Sequence, residues 1–123
     1  MRIRRSIRHK SCADGSFMKE FLLSEPVPAG FFSYLEDFGE VEALPKIGEG
    51  FYKFEKTDWF SIKGLAGDTT VEVRFKKEVM DLTIDFLYLL FSSYREGPLD
   101  LRILKQREQS VGRRVREHLY GPD

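Results

Sequence analysis

The stretch VEVRFK, residues 71–76, alternates apolar and charged side chains with a period of two. Such alternation is typical of a strand with one buried face and one face in water. Four further stretches have strand-like character: residues 17–23 (FMKEFLL), 41–44, 51–55 and 59–65. Short turn sequences join the later stretches to residues 71–76, which predicts an antiparallel meander.

Residues 79–94 alternate at first but then run into six consecutive apolar residues, 86–91. At 100° per residue the polar side chains of this segment fall on one narrow stripe, formed by Asp81, Asp85, Tyr88 and Ser92. A largely buried helix accounts for this pattern better than a strand does. The segment is therefore predicted to be a helix.

Two further helices are predicted. Pro28 opens the first, because a proline in the first helical turn loses no hydrogen bond, and its apolar residues Phe31, Leu35 and Phe38 share one face. The second covers residues 98–119, with Gly112 as its weak point. An alternative interpretation makes residues 99–104 (LDLRIL) a closing strand.

Together these elements predict an α+β fold, in which an antiparallel sheet of about four strands packs against helices on one face. By element order it is expected to be a ferredoxin-like sandwich or a variant of one, with a long C-terminal helix. Residues 1–16 are expected to form a flexible basic tail, either a functional arm or the product of an upstream start codon. Residues 17–123 are expected to form a single domain, which suits the length of 123 residues.

The net charge is zero, but the charge is unevenly distributed. Residues 1–17 carry five basic and one acidic side chain. Residues 18–97 carry nine basic and fifteen acidic side chains, and residues 98–123 carry six basic and four acidic ones. An acidic body between basic ends indicates either self-pairing or an anionic partner.

Cys12 is the single cysteine, so a disulfide framework is excluded and a cytoplasmic location is expected. No membrane association is expected, because residues 86–91 are far shorter than the roughly 20 residues of a spanning helix.

The C-terminal helix gathers basic side chains on one arc of its surface. On a helical wheel this arc holds Arg102, Lys105, Gln109, Arg113 and Arg116. Guanidinium and ammonium groups bind phosphates and carboxylates. We therefore take Arg102, Lys105, Arg113 and Arg116 as the candidate anion-binding or partner-binding site, with a solvated helix face as the alternative.

No other pattern specifies chemistry. Asp81 and Asp85 are spaced to meet one cation, but two carboxylates are too few for a hard metal, and a solvent-facing stripe is the simpler interpretation. The glycine-rich stretches 48–50 and 64–69 lack the spacing of phosphate-binding loops and are predicted to be turns. His9 and His118 lie near no plausible nucleophile in the sequence. No catalytic residue, metal or cofactor is predicted, and the aromatic residues of 51–60 are expected to be mostly core, with an exposed interface patch as the alternative.

These observations favour a non-enzymatic interaction or accessory module that docks a protein partner or associates with itself. The first alternative is a nucleic-acid-binding protein that uses the basic stripe of the C-terminal helix and the N-terminal arm. The zero net charge weighs against it. The second alternative is an enzyme with a carboxylate site that the sequence does not reveal.

Overall fold

The computed structural model describes residues 1–121, which form one six-stranded sheet and three α-helices. The strands are β1 (Ile3–Ser11), β2 (Ser16–Leu23), β3 (Glu40–Ala43), β4 (Phe51–Lys56), β5 (Phe60–Leu65) and β6 (Thr70–Lys76). The helices are α1 (Phe31–Leu35), α2 (Met80–Ser92) and α3 (Arg102–Tyr120). A short 3-10 turn, Lys77–Val79, leads from β6 into α2.

The sheet has the order β1-β2-β6-β5-β4-β3, and all neighbouring strands are antiparallel. Strands β3 to β6 form the predicted meander. The hairpin β1–β2 adds to it through β2, which pairs with β6. Helix α1 connects β2 to β3 at the opposite edge, so β1 and β3 are the two edge strands.

The α+β class, the antiparallel sheet and the C-terminal helix are confirmed, but the count of about four strands is wrong. Residues 3–11, expected to be part of a flexible tail, form edge strand β1. Its side chains are exposed after Ile3, and its pairing with β2 has irregularities between Ile3 and Arg5 and between Ser6 and Arg8. A strand that is exposed on both faces and interrupted by bulges shows no hydrophobic period, so the sequence does not reveal it.

The ferredoxin-like interpretation is also corrected. A ferredoxin-like chain runs β-α-β-β-α-β, whereas here four strands follow α1 and none follows α2 within residues 1–121. Residues 99–104 do not form the closing strand. Instead, α3 begins at Arg102, whose backbone N–H donates to Asp100 Oδ1 at 3.1 Å.

One core lies between the sheet and the helices. Along β5 and β6, alternate side chains point into it and are buried, while the others are partly exposed on the opposite face. The largest fully buried side chains are aromatic: Phe21, Phe31, Phe54, Phe75, Phe86 and Phe91. Trp59 and Phe60 are buried as well, which agrees with the core interpretation of the central aromatic residues.

Lys56, the last residue of β4, is a charged group inside this packing. Its Nζ donates to the backbone oxygen of Phe38 at 2.7 Å and to Glu108 Oε2 at 2.5 Å, and it lies 4.4 Å from the centroid of the Trp59 ring. Burial lowers the pKa of Lys56, while the Glu108 carboxylate favours its charged form. The ammonium group thus joins β4, the segment after α1, and α3.

Helix α3 packs beside Trp59 at Gly112, which is buried. A Cβ built at Gly112 would lie 3.5 Å from the Trp59 ring and 3.4 Å from an Arg116 nitrogen, which are ordinary contact distances. By contrast, a Cβ at Gly39 would come within 2.6 Å of the Glu55 backbone oxygen and the Phe54 ring. The structure therefore has room for a larger residue at Gly112 but not at Gly39.

We expect Gly112→Ala to stabilise the fold by roughly 0.5–1 kcal/mol, because alanine favours a helix over glycine and the site has room for a methyl group. Gly39→Ala is expected to destabilise it by roughly 1–3 kcal/mol, because the Glu55 backbone and the Phe54 ring must move. Urea unfolding of both variants and the wild type measures the two changes. Equal effects of the two substitutions would contradict the packing described.

Candidate functional site

The predicted basic stripe of α3 is largely exposed, but its first member is paired within the chain. Arg102 donates through Nη2 to Asp100 Oδ2 at 2.7 Å and through Nε to Asp100 Oδ1 at 3.0 Å. The hydrogen bonds from Arg102 lower the pKa of Asp100, and those to Asp100 raise the pKa of Arg102. This pair neutralises the N-terminal end of the stripe.

Lys105, the second member, fastens α3 to the segment that follows α1. Its Nζ donates to the backbone oxygen of Asp37, lies 4.4 Å from the centroid of the Phe38 ring, and is 3.4 Å from Glu108 Oε1. A lysine held by a carbonyl, a ring and a carboxylate contributes to packing. Its charge is therefore only partly available to a ligand.

Arg113 and Arg116 are exposed and form no ion pair within residues 1–121. The four predicted site residues therefore share one helix face but divide into two pairs. Arg102 and Lys105 contact groups of the same chain, and Arg113 and Arg116 are free. Two free guanidinium groups one turn apart make a smaller site than the sequence predicts.

A second surface emerges from the strand register. All three helices pack on one side of the sheet. Its other side, the open face, is covered by no helix of residues 1–121, although Met18 on that face is fully buried. Residues opposite one another on antiparallel strands share a face, so the register places the side chains of the open face in three rows that run across the strands. Six strands about 4.8 Å apart make this face roughly 24 Å wide.

The middle row holds one charged side chain from every strand. From edge strand β1, across all six strands to edge strand β3, the row consists of Arg8, Glu20, Glu72, Lys63, Lys53 and Glu42. No two of these six groups form an ion pair with each other, and the one bridge to any of them joins Glu72 to Arg74 at 3.9 Å. The row thus consists of three cross-strand neighbours of opposite charge, Arg8 with Glu20, Glu72 with Lys63 and Lys53 with Glu42, and none of these is closed into an ion pair.

The outer rows differ in polarity. One holds Lys10, Met18, Arg74, Ser61, Glu55 and Glu40, and beside it lies a polar depression of about 440 Å³. The other holds Arg5, Leu22, Thr70, Leu65 and Phe51, and beside it lies a more apolar depression of about 270 Å³. Ile47, from the loop between β3 and β4, lines the second depression and is 56% exposed.

Arg74 stands out in the polar outer row. Its Nε is buried and has no hydrogen-bond partner within the described structure, and its Nη2 lies 3.9 Å from Glu72 Oε1. A buried donor without a partner costs about 1–3 kcal/mol. Arg74 therefore contributes positive charge to the polar outer row, on the inner strand β6, that the chain itself satisfies incompletely.

The remaining candidates form no site in the described residues. Asp81 and Asp85 lie on the solvent side of α2, as the helical stripe predicts, and no group of three or more His, Cys, Asp or Glu residues in 1–121 is placed to hold a metal. His9 stacks on Phe17 with ring centroids 5.9 Å apart, and His118 is exposed in the last turn of α3. None of the described helices has both the length and the apolar character needed to cross a membrane.

The sequence alone does not reveal the open face, because its residues come from six separate strands. The signal was present in part: Glu72, Arg74, Lys63 and Lys53 occupy the polar positions of alternating strands. Which of these positions stand side by side depends on strand order and register, and edge strand β1 was not predicted.

No family model matches this chain, and no match was found among curated proteins or among solved structures.

Lys105 and Arg113 offer a direct comparison between a packing role and a free charge. We expect Lys105→Met to lower the free energy of unfolding by about 1 kcal/mol, because the Asp37 carbonyl loses a charged donor. Arg113→Met should stay within about 0.5 kcal/mol of the wild type. Thermal and urea unfolding measure both. If the two variants were equally stable, Lys105 would have no packing role and would be a free charge like Arg113.

Proposed function

We propose that this chain is a non-enzymatic protein-interaction module and that the open face of its sheet is the docking surface. The observation that carries this proposal is the one-sided core. Three helices and most of the buried aromatic side chains lie on one side of a six-stranded sheet, and none of the described helices packs on the other side.

The composition of the open face suits a protein partner. Leu22, Leu65 and Phe51 are half-buried in a row next to charged residues, so apolar area and charge lie side by side. Protein interfaces combine apolar patches with polar groups in this way, and charges of both signs set the orientation of the partner. Both depressions are partly open to solvent, which suits a protein surface better than an enclosed small ligand.

Site-specific photocrosslinking in the cells that produce the chain tests this proposal. We expect a crosslinking residue at Lys63, in the middle of the open face, to give discrete protein adducts. The same residue at Asp85, on the exposed side of α2, should give none. Charge reversal by Glu20→Lys with Glu72→Lys in the chain that carries the Lys63 crosslinker should reduce the adducts about tenfold, because like charges would face the partner.

Adducts of equal yield from positions 63 and 85 would indicate random collisions and would refute the open face as the docking surface. So would the absence of any adduct from position 63. Adducts that disappear after nuclease treatment would identify a nucleic acid instead of a protein.

A second candidate function, nucleic-acid binding, is favoured by β1. Its residues Arg4, Arg5, Arg8 and Lys10, like Arg2 before it, are exposed and form no ion pair among the residues described. However, α3 contacts β4, which lies four strand spacings from β1, or roughly 19 Å. The basic side chains of β1 and α3 therefore do not merge into one continuous patch.

Gel-shift titrations with duplex and single-stranded DNA and with RNA test the second candidate. Binding through phosphate contacts is expected to weaken at least about tenfold between about 50 and about 200 mM salt, and Arg4→Glu with Arg8→Glu should abolish it. Arg113→Glu with Arg116→Glu is the matched control, because it removes the same charge from the other basic surface. A shift lost equally in both pairs would show that the two surfaces act together, and no shift at low salt would refute this candidate.

A further inference from the structure

We propose that the occupant of the open face is a second copy of this chain, bound face to face about a two-fold axis that runs parallel to the strands. This inference rests on the proposed function, since it names the partner of the same surface. The reason is the order of the charges along the middle row.

From β1 to β3 the middle row reads positive, negative, negative, positive, positive, negative. Read from β3 to β1, it is negative, positive, positive, negative, negative, positive. The reversed row is therefore opposite in sign to the forward row at all six positions. A surface whose charges complement their own reversal can bind a copy of itself in an isologous manner.

A two-fold axis parallel to the strands produces this reversal. It keeps the position along each strand and exchanges β1 with β3, β2 with β4, and β6 with β5. Arg8 then faces Glu42 of the second copy, Glu20 faces its Lys53, and Glu72 faces its Lys63. Each contact occurs twice, so three kinds of opposite-charge pair give six pairs across the interface.

The outer rows support the same arrangement. Under this axis Lys10 faces Glu40 of the second copy, Arg74 faces its Ser61, and the basic edge β1 lies over the acidic edge β3. The remaining residue, Glu55, lies over the fully buried Met18 and gains no charged partner. In the other outer row, Leu22 faces Phe51, which is an apolar pair, and Thr70 faces Leu65. Sheets packed face to face are rotated by about 30°, which displaces the edges most. Because each edge strand carries mainly charges of one sign, opposite charges still face each other after that displacement.

The alternative two-fold axis in the plane of the sheets, perpendicular to the strands, is disfavoured. It reverses each strand but keeps the strand order, so every residue of the middle row would face its own copy. All six positions would then bring like charges together, which costs several kcal/mol at an interface. The charge order thus selects one of the two face-to-face arrangements.

A charge-swap experiment tests the proposal. The acidic variant carries Lys53→Glu and Lys63→Glu, and the basic variant carries Glu20→Lys and Glu72→Lys. Each variant alone places like charges opposite each other and should dimerise at least about tenfold more weakly than the wild type. Mixed one to one, the two variants restore every opposite-charge pair, and the heterodimer should form within about threefold of the wild-type affinity.

Sedimentation equilibrium over a concentration series measures the association, and circular dichroism confirms that each variant is folded before it is used. The matched control reverses two charges on the solvent side of α2, Asp81→Lys with Asp85→Lys, and should leave dimerisation unchanged. The wild-type dimer should weaken as salt rises from about 50 to about 500 mM, because screening reduces the charge pairing.

Three results would overturn the proposal. A wild-type chain that stays monomeric up to roughly 500 µM excludes the second copy as occupant. Dimerisation that is unaffected by either variant places the interface elsewhere. If dimerisation is lost in both variants but is not restored by mixing them, the two-fold axis parallel to the strands is excluded. In the first case, protein adducts from Lys63 in cells would still uphold the interaction module with a different partner, so the two proposals can fail independently.

Discussion

The alternation of apolar and polar side chains along the central strands determines most of what this structure does. On β5 and β6 every second residue points into the core, and the residues between them point away from it. The helices contain enough apolar surface to cover one side of the sheet, where most of the phenylalanines are buried. The other side is left with a surface of charged and half-buried apolar groups, arranged by the strand register. Core and open face are therefore two consequences of one pattern.

The helical side is held together partly by charge. The Lys56 ammonium lies among the Phe38 carbonyl, the Glu108 carboxylate and the Trp59 ring, and Lys105 reaches the same region from α3. A buried ion pair adds little net stability compared with apolar packing, but removal of one partner leaves the other charge desolvated. This arrangement fixes where α3 lies on the sheet. It also explains why basic residues of α3 that look free in the sequence are not all free in the structure.

The sequence predicts those elements whose burial is periodic. Strand β6 and helix α2 were identified because one face of each meets the core. Strand β1 was not, because nearly all of it is exposed and bulges interrupt its register. The candidate sites differ in the same respect: one lies on a single helix and the other is built from several strands. The exposure of Arg113 follows from a helical wheel, whereas the middle row of the open face brings together residues as distant in sequence as Arg8 and Glu72. Only strand order and register place such residues in line.

The packing of Trp59 has a consequence for how this chain can be observed. It is the one tryptophan in the sequence, and its indole lies between the Lys56 ammonium, the Phe86 ring and Gly112 of α3. Indole emission depends on the polarity of its surroundings and on nearby charge. Separation of α3 from the sheet would expose this ring to water while the open face stayed intact. The chain thus carries an intrinsic optical reporter for the contact between α3 and the sheet.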